Sequence, residues 1–464
     1  MTMANSVTGL AWEIAGFVKR LTFDDLTPAR QARIAMCYMD FLALAAAASD
    51  LPEAQVATVL AEPGTVNLPG IGAGSVSPAS AIVSLGYVGA LLQLHDGFGQ
   101  GGNHPSSALV PTAYALGQSH QLTEVLAALA AGYEVANRLA AATHPAQSIR
   151  GSAPTGTMGA VGAAAIAARL MGLDRAATAE ALSIAAILAP VAAYEALRIH
   201  GSAVPFHGGY AGRAGYDAAR LAAAGLEGGA TVLEGRPGAA GFLEFLRGSP
   251  ADLAAPETWA GQTLDMVYFK AVPGCRHLQP AWEALAQIID RAGPAQGIAR
   301  VRVETYPLAL AFALRPDVRY ALYDRLMSLP WAMAAALLYG GLSVDAARTP
   351  PDATALDALI DRIDVVEAAD ITARYPGTLG ARVTLSFTDG RDSLTGHAAL
   401  LYGEEPRKEA LTPAGGTFPA LSRAELIARD AGFLAPVWSG AEAALIDQTR
   451  QIVLATPPAL SERT

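Results

Sequence analysis

The chain has 464 residues, 52% of them apolar and 16% charged, with a formal net charge of −10 and a pI near 5.3. This length and apolar content allow a large buried core in two or three domains and exclude an intrinsically disordered chain. The acidic balance, without any Lys/Arg run, excludes nucleic acid and anionic membrane as partners, while a small anion can still be held by a few converging cations or N–H groups.

Two cysteines, Cys37 and Cys275, cannot build a disulfide framework or a four-Cys metal site, and no spacing resembles a His-x-x-x-His zinc site. The first residues lack a basic region followed by an apolar run and a small-residue cleavage site, so the expected location is the cytoplasm. The most apolar stretches, near Met158–Leu173 and Ala181–Leu197, are Ala/Gly-rich and short for a bilayer span, and they read as buried helices.

In chain order, Leu10 to about Leu246 reads as nearly all helical. Apolar faces of helix length run over Thr27–Ala48, Pro78–Leu92, Leu109–Gln118, Thr123–Ala142, Gly156–Met171, Asp174–Leu197 and His207–Ala224. The small residues from Gly159 to Ala165 permit close helix packing. After Thr263 the texture changes. Ala299–Tyr306, Ile363–Val366 and Ala381–Thr388 read as strands, Thr388–Arg391 as a hairpin turn, and the strand resumes near Leu394. Helical runs Gln279–Ala292, Ala321–Leu338 and Thr354–Arg362 lie among them, which makes a smaller α/β unit with an antiparallel or mixed sheet. Arg423–Leu454 is helical again and is expected to pack on the first domain, with a fraying end at Thr456-Pro457-Pro458.

The most informative segment is Leu94–Ser107, a Gly-rich loop that carries Asp96 and the pair His104-Pro105. Four glycines permit backbone angles that other residues resist, and Pro105 restricts His104 to extended geometry, so one loop can turn a carboxylate and an imidazole toward one cavity. A Gly-rich connector with an incidental histidine fits these residues equally well.

Read in order, the landmarks resemble the MmgE/PrpD family. They are Asp96…His104-Pro105, the runs Gly132–Leu139, Pro154–Ala160, Pro205–Ala211 and Leu233–Gly235, Lys270-Ala271-Val272-Pro273-Gly274-Cys275-Arg276, and Ser328–Ala334. The resemblance implies a mainly α fold: a large all-helical domain built from N- and C-terminal segments (1–265 and 409–464), with a smaller α/β lid (266–408) inserted between them. It also implies a homodimer, and a cleft between helical domain and lid that receives small carboxylic acids without metal or organic cofactor. Carried over position by position, Asp96, His104 and Lys270 are the expected catalytic residues. His104 serves as base or acid because its ordinary pKa lies nearest neutrality. Lys270 holds a carboxylate or the enolate-like charge, and Asp96 fixes the imidazole tautomer or accepts a substrate hydroxyl.

Expected substrate contacts are Gln100, Asn103 and Thr155 through neutral hydrogen bonds, Phe98 and Trp331 through apolar surface, and His207, Arg276 and His277 at the cleft wall. His207 reads equally well as helix-start packing. His200 is a further candidate, whereas His95, His120, His144 and His397 read as surface or helix-end residues. Where family members commonly carry His, Lys, His and Tyr, this chain has Ala153, Val204, Gln279 and Trp331. Fewer cations imply a substrate less charged than 2-methylcitrate or cis-aconitate. The expected reaction is dehydration or decarboxylation by proton abstraction next to a carboxylate. The alternatives are an isomerase or epimerase using the same carbanion, and a binding protein that has lost catalysis.

Overall fold

A computed structural model describes residues 9–72, 74–198, 201–249, 251–270, 272–313, 322–348, 352–375, 377–401, 432, 434 and 440–455. The N-terminal half is helical, with α1 (Leu10–Arg20), α2 (Pro28–Ala48), α3 (Pro78–Ala90), α4 (Ser106–Gly117), α5 (Leu122–Thr143), α6 (Pro154–Leu170), α7 (Arg175–Leu188) and α8 (Phe206–Ala223). Several starts are dictated locally. Thr27, Ser77 and Asp174 accept a backbone N–H three residues on, and Pro28, Pro78 and Pro154 occupy the first turn, where the missing N–H costs nothing.

Helix α8 packs against α3, α4, α6 and α7, and α6 also packs against α4 and α5. Small residues set these distances. A Cβ placed on Gly162 would lie 2.8 Å from the Gly132 carbonyl oxygen, and one on Gly215 would lie 2.5 Å from both the Ala160 oxygen and the Ala164 nitrogen. The run Gly159–Ala165 therefore does what its composition suggests, bringing helix backbones into contact.

The later part is mixed α/β. Strands β1 (Ile298–Thr305), β2 (Ile363–Glu367), β3 (Thr378–Phe387) and β4 (Leu394–Leu401) form one sheet in the order β4-β3-β1-β2, and only β1 and β2 run parallel. Alternation explains the faces: Val301, Val303, Val383 and Leu385 are buried while Arg300 and Arg302 face out. Helix α9 (Gln279–Ala286) covers β3 and β4, and α10 (Leu329–Tyr339) lies against α9, β2 and α11 (Ala353–Ile360). The hairpin at Thr388–Arg391 turns on Gly390, whose φ of +76° is open to glycine at no steric cost. Helix α12 (Gly440–Ala455) packs on α2 and α5. Predictions for 423–431, 433 and 435–439, for the end after 455, and for His200 lie outside the described residues.

The fold departs from the sequence expectations in four places. Asp174–Leu197 is not one helix: Pro190 forces Ala189 into extended geometry, α7 stops at Leu188, and one short turn follows at Glu195–Arg198. Ala321–Leu338 is broken at Ser328, which caps the helix that begins beside Pro330. Gln279–Ala292 is interrupted at Gln287–Ile288. The nearly all-helical stretch also contains two short hairpins, Pro63–Asn67 with Ser75–Val76 and Gly235–Arg236 with Ala239–Ala240. Among the described residues no single helix is long and apolar enough to cross a membrane.

Gly215→Ala tests the close packing. Alanine improves intrinsic helix propensity by about 1 kcal/mol, yet its methyl must push α6 and α8 apart, so we expect a net loss of about 1–3 kcal/mol in urea unfolding. A raised unfolding midpoint would contradict this packing account.

Candidate active site

The loop between α3 and α4 is pinned at both ends and in the middle. Residues Gly97–Phe98 pair antiparallel with Val267–Tyr268, which joins the loop to the segment that carries Lys270. The Phe98 N–H donates to the Asn103 carbonyl at 2.9 Å, closing the loop on itself. Two glycines are obligatory here. A Cβ on Gly97 would meet the Tyr268 hydroxyl at 2.2 Å, and Gly102 combines a φ of +60° with the His144 ring 2.6 Å from its would-be Cβ.

Asp96 is fully buried and its carboxylate faces the helices. Oδ1 accepts from the Ser106 N–H at 3.2 Å, which caps α4, and Oδ2 accepts from the Tyr133 hydroxyl at 2.7 Å. Burial raises the Asp96 pKa, and the bonds from Ser106 and Tyr133 oppose that rise. Burial also keeps Tyr133 a phenol, hence a donor.

The Asp96 backbone carbonyl, rather than its carboxylate, holds the imidazole: His104 Nδ1 lies 2.7 Å from that oxygen. A carbonyl can only accept, so Nδ1 carries the hydrogen and Nε2 carries the lone pair. The His104 N–H donates to Thr155 Oγ1 at 3.1 Å, tying the residue to the start of α6. Burial pushes the His104 pKa down to about 3, with the Lys270 ammonium next in effect and His277 and Arg276 adding to it, while the bond to the Asp96 carbonyl acts the other way. At neutral pH the ring is thus an uncharged base.

Lys270 is 2% exposed, and its Nζ donates to the Gln93 carbonyl at 2.7 Å. The chain has three lysines among 32 basic residues, so a lysine here stands out against a background of arginine. Lysine differs from arginine in that burial can bring its pKa into the working range, and burial lowers Lys270 to about 8. Arg276 lays its guanidinium over the Tyr268 ring at 4.1 Å, and its Nε is enclosed without a hydrogen-bond partner among the described residues. His277 Nδ1 is 2.7 Å from the Tyr306 hydroxyl and its ring stacks on Phe312; burial and the Arg276 charge push its pKa to about 3. The buried Glu283 is raised to about 8 by desolvation, so the nearby carboxyl does not neutralise these cations at pH 7.

The fold brings together Asp96, Phe98, Asn103, His104, Thr155, Lys270, Arg276 and His277. Phe98 is 1% exposed in the ladder, and Asn103 donates to Asn137 at 3.1 Å while its own Oδ1 has no partner among the described residues. Three expected contacts are placed differently. Gln100 is exposed on the turn Gly99–Gly101, because that turn points its side chain to the surface. His207 is tied to the Pro190 carbonyl at 3.3 Å and packs on Gly156, which is the helix-start reading. Trp331 is 1% exposed inside α10, and its Nε1 has no partner among the described residues.

His95, read as a surface or helix-end residue, is 3% exposed, with its ring edge-on to His104 at 4.7 Å and Phe41 on its other side. Burial, followed by His104 and Lys270, drives its pKa well below the usual value. Tyr133 and Asn137, one helical turn apart on α5, also belong to the site's support; their spacing of four in Gly132–Leu139 was the available signal. Among the described residues no group of three His, Cys, Asp or Glu side chains could hold a metal ion.

Two family models cover the chain: the MmgE/PrpD N-terminal domain matches residues 12–251 and the MmgE/PrpD C-terminal domain matches residues 272–413. The chain belongs to the MmgE/PrpD family. No curated protein matches it. The family's members are generally lyases or dehydratases, and membership supports enzyme status for this MmgE/PrpD protein.

The titrations have a sign that stability measurements can read. His104 and His277 are held neutral down to about pH 3 and His144 down to about 4, whereas an unfolded imidazole takes a proton near pH ~6.5. The unfolded state then binds more protons below that value, so stability is intact above pH ~6.5 and is lost as the pH falls toward 3. We expect the urea midpoint to drop steadily from pH 7 to 4.5, and the drop to be shallower in His277→Asn. A midpoint constant over that range contradicts the buried neutral histidines.

Proposed function

We propose that this MmgE/PrpD protein is a lyase that removes a proton next to a carboxylate of a small organic acid and expels water or carbon dioxide, using side chains alone for the acid/base steps. The observation that carries the reading is the His104 imidazole, fixed by the Asp96 carbonyl with Nε2 as its basic nitrogen and near enough to the Lys270 ammonium for that charge to lower its pKa. In a dehydration, Nε2 takes the proton from the carbon, the electron pair forms the double bond, and the C–O bond breaks with a proton delivered to the departing hydroxide. In a decarboxylation the C–C bond breaks instead, and the carbanion collects a proton. Lys270, mostly protonated at pH 7, suits either the stabilising of enolate-like charge in a water-poor cleft or the delivery of that proton.

Ala153 is buried and uncharged, and Val204 contributes no cation. Each extra carboxylate would meet uncompensated desolvation, which supports a substrate less charged than a tricarboxylate. A neutral base and a protonated amine on different segments also form the pair that an epimerase needs to remove and return one proton. The two reactions share a carbanion and differ in whether a leaving group is present.

A thermal-shift panel of hydroxy and unsaturated acids identifies ligands, since binding to the native state raises its melting temperature. With a ligand that turns over, His104→Asn and Lys270→Met should each lower kcat by about 10²–10⁴. Reaction in D2O should place deuterium on carbon in the product of a decarboxylation, none in the alkene product of a dehydration, and deuterium in the substrate and its epimer without elimination for an epimerase. Turnover unaffected by both substitutions would rule out this chemistry.

A further inference from the structure

The segment between α3 and the active-site loop contains one residue in an unusual backbone state. Gln93 has a φ of +50°, and it is the only non-glycine residue among those described with a positive φ. It sits just past the end of α3, where a left-handed residue commonly ends a helix and where glycine or asparagine is adopted at least cost. Glycine would have removed the strain. What glutamine adds is a lock: its backbone N–H donates to the Ala90 carbonyl at 3.0 Å, and its side-chain Nε2 donates to the same oxygen at 2.9 Å. Both ends of one residue are thus held on one acceptor, and the left-handed geometry has little freedom left.

The consequence appears at the third polar group of this residue. With its N–H and side chain committed backwards to the helix, the Gln93 carbonyl points the other way and accepts from Lys270 Nζ at 2.7 Å. Gln93 is 8% exposed and Lys270 is 2% exposed, so water is a poor substitute for this bond. The C-terminal end of a 13-residue helix lies immediately before it, and a helix C-terminus carries partial negative charge that favours an ammonium. Strained backbone that persists beside a functional group is a recognised way of pre-setting geometry.

We infer that Gln93 is a positioning residue: its left-handed backbone, locked by its own side-chain amide, aims a carbonyl at Lys270 and thereby sets where that ammonium stands relative to His104. This deepens the proposed function and rests on it for the claim that the position of Lys270 matters to turnover.

The test separates the two. The chain has three lysines, so [ε-13C]lysine labelling gives few signals, and Lys270→Met assigns the one that matters. Gln93→Gly keeps the left-handed backbone without strain and removes the lock; Gln93→Asn keeps an amide and tolerates the same φ. A hydrogen bond to the ammonium favours its charged form, so Gln93→Gly should lower the Lys270 pKa by about half to one unit. It should also lower kcat about tenfold or more, as small misplacements do, with the melting temperature nearly unchanged. Gln93→Asn should recover most of both. If Gln93→Gly leaves the Lys270 signal, its titration and kcat as in the parent, the inference is overturned. If Lys270→Met retains full turnover, the proposed reaction fails instead, while the lysine titration still decides whether Gln93 positions Lys270.

Discussion

Two residues of strand hold the chemistry of this protein together. Gly97 and Phe98 pair with Val267 and Tyr268, and through that ladder a loop from the helical half meets a segment about 170 positions later in the chain. Without it the loop that carries the Asp96 carbonyl and His104 and the segment that carries Lys270 would belong to separate parts of the molecule. The ladder is possible because Gly97 has no side chain to collide with the Tyr268 hydroxyl and because Phe98 fills the apolar side of the joint. Neighbouring bonds reinforce it: Glu134 accepts from both the Thr263 N–H and its hydroxyl, and Asn137 reaches Asn103 and Thr263. Helix α5 is therefore the wall on which the loop and the strand before Lys270 are both fastened.

Electrostatics follow from that joint. Burial disfavours protonation of the three imidazoles, and the ammonium and guanidinium brought near them add to the effect. The outcome is a division of labour between neutral rings that can accept a proton and a lysine that retains one. The buried carboxyls divide: Glu283 is held largely protonated at neutral pH, whereas Asp96, bonded to Ser106 and Tyr133, and Asp40 favour the Lys270 charge.

Part of this was legible in the sequence. Glycines around Asp96 and a proline after His104 describe a constrained loop, and the run of small residues in α6 describes close packing; both are local signals and both hold in the fold. The α/β texture after Thr263 comes from β-branched alternation, and the sheet is indeed mixed. Lys270 is different: nothing in its surroundings marks a buried lysine, and only the family resemblance pointed to it. His95 escaped notice because its burial comes from α2, which supplies Phe41, and no local pattern reports that contact. Gln93 was invisible for a similar reason, since a positive φ in a non-glycine residue has no composition signature. The overlong helix at Asp174–Leu197 is the opposite case, where Pro190 was a plain breaker and the apolar count around it outweighed the signal.

The central claim is that the Asp96 carbonyl fixes His104 as a neutral ring with its proton on Nδ1. Imidazole 15N spectroscopy on histidine-labelled protein, with His104→Asn used for assignment, reads this directly. The account predicts a His104 signal of the Nδ1–H tautomer, with Nε2 unprotonated throughout pH 5–8. A ring protonated on both nitrogens at pH 7, or one carrying its proton on Nε2, would contradict it.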